Sequence, residues 1–394
     1  MVYPTAAAPT QGIFVERRIR AMHAVSPIVM VSPQPWFPGW RPALDQPLID
    51  ESAAPTVIRP RMFYIPGIMK RWDAAFYAAA FREGLQLARE RGPVKVIDAH
   101  FEWPDGVGAW QVAREERLPF VCTLRGKLVS QSRNPVRRGM LGEMLREADR
   151  LIAVSASLAR LARDVAGRPL NVEVIPNGID DGVFFRSGDE GRSGPDPSAR
   201  ASLGWHPGAR YVVSVGHFQR LKGFHRLVHI WPEVRRLAGD VRLVLVGGSA
   251  GEPAYERELM EAIRRINGVK AASGDGSIIA CAGRVSPDRV AQLLNAADLF
   301  ALASESEGWC NAIAEALACG CPVVATDVGG NREIVVDDTL GRLAPLEDSN
   351  ALTTAIAESL DRGWDRGAIA STGRGRRWAD VGQACVEALQ GVIR

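Results

Sequence analysis

Short apolar runs alternate with longer amphipathic stretches along nearly the whole chain, and this alternation limits the fold more than any other feature. Pro27–Ser32, Val94–Asp98, Phe120–Thr123, Arg150–Ser155 and Val172–Ile175 read as strands. Val15–Ala24, Arg71–Arg91 and Ser157–Ala166, lying between them, have helical spacing. Strand, helix, strand in series gives a parallel, doubly wound sheet, because a parallel partner is reached only by a long crossover. Residues 187–200 (SGDEGRSGPDPSAR) offer nothing to bury and read as a linker or mobile loop. Beyond them the pattern restarts with strands at Tyr211–Val215, Arg242–Val246, Ile278–Ala282, Asp298–Ala303 and Pro322–Thr326. Helices follow from Phe224, Tyr255 and Asp288, and another ends near Cys319. A length of 394 residues is too great for one ordinary domain and suits two. The expected fold is α/β, with two Rossmann-like doubly wound domains facing a cleft. The expected divisions are a first domain over 1–186, a linker over 187–207, a second domain over 208–376, and a helix over 377–394 that can pack back on the first domain.

Composition removes several alternatives. The hydrophobic fraction of 46% and charged fraction of 24% are those of a globular protein, not a disordered one. No run of about 18 apolar residues occurs, and MVYPTAAAPTQG lacks a basic segment followed by an apolar core, so a cytoplasmic location is expected. Six cysteines are scattered without C-x-x-C spacing and read as reduced, mostly buried thiols. A net charge of +3 is too small to argue for nucleic acid. Residues 1–200 carry 27 Lys+Arg against 22 Asp+Glu, leaving 21 against 23 for the rest, so any anionic surface would meet the first half. Trp72, Phe76 and Tyr77 lie among Lys70, Arg71, Arg82, Arg89 and Arg91 in the stretch 68–91. That stretch is either a core helix with solvated arginines or a membrane-surface contact.

In doubly wound sheets, ligands bind beyond the carboxyl ends of the strands, so the loops after the strands are where chemistry is sought. The most informative is Ser304–Gly320 (SESEGWCNAIAEALACG), which leads from the strand DLFALA into a helix stopped by Gly320. Such a helix N-terminus suits an anion such as a diphosphate. Glu307 and Glu315 stand eight residues apart there. If both lie on or near the helix, their Cα atoms are up to about 12 Å apart. A glycosidase pair needs about 5–9.5 Å, so two grips on one elongated ligand is the easier reading. A capping carboxylate plus a solvated helix residue is the plainer one. The loop Gly216–Gly223 (GHFQRLKG) sets Arg220 and Lys222 in a glycine-flanked turn suited to phosphate.

GHFQRLKG, LVLVGG, CAGRVSPD and SESEGWCNAIAEALACGCPVVATDVGGNREIV, in that order, resemble the C-terminal domain of the family 4 glycosyltransferases, which have the GT-B fold. Their E-x7-E pair is matched by Glu307 and Glu315. GIFVERRIRAMH, VSPQPWFPGW, DAHFEWPDG, TLRGK, LIAVS and VIPNGID resemble the N-terminal domain of bacterial members that build cell-surface polysaccharides. The resemblance implies that Glu315 accepts from the ribose hydroxyls and that Glu307 contacts the donor sugar. It implies that Gly308, Trp309 and Cys310 offer backbone N–H groups to sugar and diphosphate, and that Lys222 neutralises the leaving group. His100 falls where the family has a histidine near the donor sugar, Gly12 where backbone approaches the nucleotide phosphates, and Asn177-Gly178 in the interdomain crossover.

Two departures stand out. The family pattern G-R-x-x-x-x-K-G has Arg where this chain has His217, which carries less permanent charge, and Arg220 is the candidate to compensate. Arg125 stands where many members have His. VGGSAG lacks G-x-G-x-x-G spacing, which argues against a dehydrogenase, and no D-x-D closes a strand, so no metal and no other cofactor are expected. The expected function is a retaining, metal-independent hexosyltransferase taking a UDP- or GDP-sugar to a glycan or lipid-linked acceptor. Its place would be the cytoplasm, with possible peripheral contact at the inner membrane face. The alternatives are a GT-B nucleotide-sugar epimerase or phosphorylase, and a degenerate sugar-nucleotide-binding scaffold.

Overall fold

A computed structural model describes residues 3–5, 12–37, 46–52, 54–65, 67, 70–188, 194–248, 251–268 and 279–393. The chain forms two compact units, one of Met1–Gly178 with Trp378–Arg394 and one of Ile179–Arg377.

The second unit is built on a six-stranded sheet in which neighbouring strands pair in parallel. Across the sheet the strands run Ile279–Gly283, Val241–Val246, Arg210–Val215, Leu299–Leu302, Val323–Thr326 and Gly341–Ala344. The expected strand at 278 begins one residue before the described ones. Leu299–Leu302 and Val323–Thr326 are buried throughout, as parallel strands covered on both faces must be. Alternate side chains go to opposite faces: Val213, Phe300 and Val323 to one apolar core, Val212, Leu299 and Val324 to the other. The chain leaves its first strand, Arg210–Val215, for one neighbour and returns to the other neighbour through Leu299–Leu302. The switch point of the topology therefore lies between the carboxyl ends of these two strands.

The first unit is less regular than the sequence pattern implies. Ile97–His100, Phe120–Leu124, Arg150–Ala153 and Val172–Val174 form a four-stranded parallel sheet. Met30–Val31, expected to join it, instead pairs with Val57–Ile58, which is also antiparallel to Ile49–Asp50. Gln34–Trp36 pairs separately with Arg61–Phe63. On one face of the main sheet, helices Ile13–His23 and Trp378–Gln390 share a core that includes Val15, Ile19, Val121, Ile152, Val381 and Val386. Gly382 lets them touch, since a Cβ there would stand 2.5 Å from the Ala21 carbonyl carbon. Tyr77 is buried within helix Asp73–Arg89 and Phe76 packs edge-on against Phe63, whereas Trp72 stays 47% exposed.

The boundary falls at 178/179 rather than at 186/187, and the described part of the expected linker is folded into the second unit. Asp196 caps the short helix Pro197–Ser202 through the amides of Ser198 and Ala199 and accepts from Ser187 Oγ. Trp205 stacks on Tyr211 at 4.0 Å, which anchors the segment to the sheet. Residues 189–193 lie outside the described set.

Candidate active site

The loops after Arg210–Val215 and Leu299–Leu302 meet at the switch point. Gly223 has φ +68°, and a Cβ there would collide with the Ala303 carbonyl oxygen, so only glycine allows this approach. Glu305 N donates to Leu221 O at 2.9 Å, tying one loop to the other. The contact brings Lys222 Nζ to both carboxylate oxygens of Glu307, at 2.8 and 3.0 Å. Ser304 Oγ donates to Glu307 Oε1 at 2.7 Å. Gly329, with φ +53°, abuts the Glu307 carbonyl oxygen and completes the cradle.

Burial acts to depress the Lys222 ammonium, but the Glu307 carboxylate beside it prevails and holds its pKa above the ordinary lysine range. Lys222 is therefore a stable cation at neutral pH. Glu307 is buried, and it lies ahead of helix Asn311–Ala318 instead of on it. Glu315, half-buried, is inside that helix. Cys310 is the buried N-cap, and burial with the nearby Glu307 charge pushes its thiol far up, leaving it an inert apolar group. The amides of Gly308, Trp309 and Cys310 donate no hydrogen bond to another described residue. They stand at the helix N-terminus, where an incoming anion would meet them.

His217 is half-buried at the head of the first loop. Burial lowers its pKa, and Lys222 and Arg284 lower it further, so the imidazole is neutral at pH 7. Arg220 is not brought to the Lys222–Glu307 pair. Its guanidinium binds Glu258 at 2.5 Å and lies over the Tyr255 ring, both on helix Pro253–Asn267.

His100 and Arg125 belong to the first unit and form a separate buried cluster. Arg125 donates to His100 Nδ1, at 3.1 Å from Nε and 2.8 Å from Nη2. A guanidinium can only donate, so the imidazole proton sits on Nε2, which donates to Asp98 Oδ2 at 3.0 Å. Both ring nitrogens of the expected catalytic histidine are thus engaged within the unit. Burial lowers the His100 pKa against the opposing Asp98 charge. Asn177 Oδ1 accepts from both Arg125 and the fully buried Arg18. Phe101, next to His100, has φ +76° and ψ 150°, a backbone region ordinarily left to glycine. Gly12, at φ 76°, is the N-cap of helix Ile13–His23, and the chain just before it is outside the described residues.

Sequence reasoning missed Ser304, although its place immediately after a strand and three residues before Glu307 was legible. It also missed Arg284, Asp98 and Arg18. Arg284 follows a strand and a glycine, the same signal that drew attention to Lys222. Among the described residues no three His, Cys, Asp or Glu side chains converge to hold a metal ion, and no helix is long and apolar enough to cross a membrane.

A six-stranded parallel sheet with a Lys–Glu pair at its switch point is a ligand site of the Rossmann-like class, and known proteins give that site its family. Residues 33–183 match the family model described as Glycosyltransferase Family 4, and residues 209–362 match Glycosyl transferases group 1. A D-inositol 3-phosphate glycosyltransferase from Acidothermus cellulolyticus is 31% identical over 337 residues, covering 81% of this chain and 71% of that protein. The chain spans from 57% to 74% of the length of the inositol-phosphate glycosyltransferases it matches. A Bacillus subtilis protein provisionally named as the teichuronic acid biosynthesis glycosyltransferase TuaC is 27% identical over 373 residues, 92% of this chain and 87% of that one. Sucrose-phosphate synthase from Thermosynechococcus elongatus shares the fold with a TM-score of 0.79 at 22% identity, covering 99% of this chain and 95% of that one. Anabaena HepE, solved in complex with UDP and glucose, shares it with a TM-score of 0.67 at 24% identity over 85% and 86% of the two chains. The chain belongs to the family 4 glycosyltransferases, and its fold is GT-B.

Proposed function

We propose that this protein is a retaining glycosyltransferase that works without a metal ion and moves a sugar from a UDP- or GDP-sugar to a glycan or lipid-linked acceptor. The observation that carries the reading is the Lys222–Glu307 pair at the switch point, with Glu315 in the helix that follows. Lys222, a lasting cation, meets the charge that develops on the departing diphosphate. The amides of Gly308, Trp309 and Cys310 serve the same charge, and Glu307 faces the sugar from which it departs. Glu315 holds the nucleoside by its ribose hydroxyls. Within the loop and helix Ser304–Gly320, all of them described, no further side chain is a ready base for the acceptor hydroxyl, which favours its proton passing to the leaving diphosphate. HepE bound to UDP and glucose supports the donor class, and the name of the Bacillus relative supports a role in surface polysaccharides.

In this reading the second unit holds the donor and the first receives the acceptor at the cytoplasmic face of a membrane. The exposed Trp72 beside Arg71 is its point of peripheral contact. Thermal melting against UDP-, GDP- and ADP-sugars tests the donor, since a ligand stabilises in proportion to ln(1 + [L]/Kd). The anomeric configuration of the product, read by NMR, tests retention. No stabilisation by any nucleotide sugar, or donor conversion without acceptor, would overturn the proposal.

A further inference from the structure

Glu307 is tied to the neighbouring strand as well as to Lys222. Its carbonyl oxygen accepts from Gly330 N at 3.3 Å, and Gly329 presses against the same oxygen. A chain of side chains reaches its carboxylate from that strand. Asn331 Nδ2 donates to the Thr326 carbonyl at 2.9 Å, Thr326 Oγ1 donates to the Ser304 carbonyl at 2.6 Å, and Ser304 Oγ donates to Glu307 Oε1 at 2.7 Å. Thr326 ends strand Val323–Thr326 and Ser304 stands two residues beyond the adjacent strand Leu299–Leu302, so the chain crosses between the two at their carboxyl ends. Ser304, Thr326 and Asn331 are all fully buried. Asn331 leaves its own Oδ1 without a partner among the described residues. An unpaired buried acceptor is a net cost, and the carbonyl that the other end of the amide holds gives the reason for bearing it.

The two oxygens of the carboxylate are therefore unequal. Oε1 accepts from Ser304 and from Lys222, whereas among the described residues Oε2 accepts from Lys222 alone. A diphosphate that draws the Lys222 ammonium away strips Oε2 of its partner and leaves Oε1 held. We propose that Ser304 is a positioning residue for transfer, keeping Oε1 bound to the protein so that Oε2 is the oxygen offered to the donor sugar, and that Thr326 and Asn331 hold Ser304 in place. Without the Ser304 hydroxyl both oxygens follow Lys222, and the carboxylate loses its fixed direction toward the sugar.

This role for Ser304 rests on the nucleotide-sugar reading of the site, and binding measurements separate the two. Titration calorimetry of UDP, GDP, UDP-glucose, UDP-N-acetylglucosamine, GDP-glucose and GDP-mannose is run on the wild type and on Ser304→Ala, Thr326→Val, Thr326→Ser, Glu307→Ala and the Ser304→Ala, Glu307→Ala double variant. The sugar's share of binding is the ratio of the diphosphate Kd to the Kd of the sugar nucleotide the wild type binds most tightly. Ser304→Ala should lower that ratio about 5-fold and move the diphosphate Kd by less than about 2-fold, the loss expected of one indirect hydrogen bond to a charged group. Thr326→Val should act in the same direction, and Thr326→Ser, which keeps the hydroxyl, should stay near the wild type. In the Glu307→Ala background, removing the Ser304 hydroxyl should change the ratio no further. Ser304→Ala deletes one hydroxyl and adds no volume, so it carries the test even where Thr326→Val does not fold. An unchanged ratio in Ser304→Ala, including equal loss of diphosphate and sugar nucleotide, would overturn this proposal and leave the donor reading standing. A ratio that still falls without Glu307 would also overturn it, since Ser304 would then act by another route. A wild type that binds no sugar nucleotide overturns both.

Discussion

Replacing Glu307 by Gln should destabilise the free protein, tighten nucleoside diphosphate binding and slow transfer, three effects that come from one ion pair. In the free protein the carboxylate makes two charge-assisted contacts to Lys222, at 2.8 and 3.0 Å, and it is itself only 7% exposed. Hydrogen bonds to charged groups contribute about 1.5–3 kcal/mol when buried. Lys222 keeps 24% of its side chain exposed and Gln can still accept from Ser304, so the loss should be about 1–2 kcal/mol. At roughly 2–4 °C per kcal/mol for a unit of this size, the melting point should fall by about 2–8 °C. Because the Lys222 pKa is raised, this contribution is whole below about pH 10.4 and is lost only as pH rises through the folded-state value. The difference between wild type and variant should therefore be flat from pH 6 to 9. A diphosphate about 5 Å from Glu307 is repelled by about 3 kcal/mol at an effective dielectric of 20. Screening in a site open to water reduces that to about 1–2 kcal/mol. Titration calorimetry should then show UDP or GDP binding about 5- to 30-fold tighter in Glu307→Gln. Turnover should fall on the order of 100-fold, since the contact to the sugar has most value as positive charge develops there. Weaker diphosphate binding in Glu307→Gln, by the same factor as in Glu315→Gln, would refute this division of roles.

Glu315→Gln should weaken free nucleoside diphosphate and intact donor alike, by about 1–2 kcal/mol, and change kcat little, because a ribose contact serves ground and transition states equally. Lys222→Ala should lower turnover by about 100-fold or more while the wild type keeps its activity in a strong chelator; recovery of a chelated enzyme by magnesium or manganese would contradict the metal-free assignment. His217, neutral in the free protein because burial, Lys222 and Arg284 all depress it, should gain a proton when a diphosphate arrives below about pH 6.5, and His217→Arg should abolish that uptake. Binding heats that do not differ between buffers of unlike ionisation enthalpy would count against it. Gly223→Ala places a methyl against the Ala303 carbonyl at a positive φ and should cost about 2–4 kcal/mol, with loss of UDP binding read in the same melting experiment.

The second unit was legible because its inner strands are covered on both faces. Runs such as Leu299–Leu302 and Val323–Thr326 must be apolar throughout, and a period-free apolar run between helices has few other readings. The first unit concealed its small sheets because Val57–Ile58, Ile49–Asp50 and Gln34–Trp36 are too short to show alternation. Their pairing is set by tertiary contacts the local sequence does not encode. The described part of the segment 187–200 misled for a different reason. Its polarity is used inward: Asp196 caps a helix and accepts from Ser187, and Ser187 N in turn donates to Asn295 at 2.8 Å.

The site shows the same division between residue identity and residue partnership. Spacing placed Lys222, Glu307 and Glu315 at one sheet edge, because the carboxyl ends of parallel strands gather their loops there whatever the side chains do. Spacing cannot show which charges are already spent. Arg220, three residues after His217, reads as its natural substitute, yet that residue follows the turn outward to Glu258. Arg284 is 67 residues from His217 in sequence and becomes its neighbour only because strand Val241–Val246 lies between theirs, with paired glycines letting the loops close. Lys222 and His217 lie on one loop and Arg284 and Glu307 on others, so the site's charge is assembled by the order of strands in the sheet.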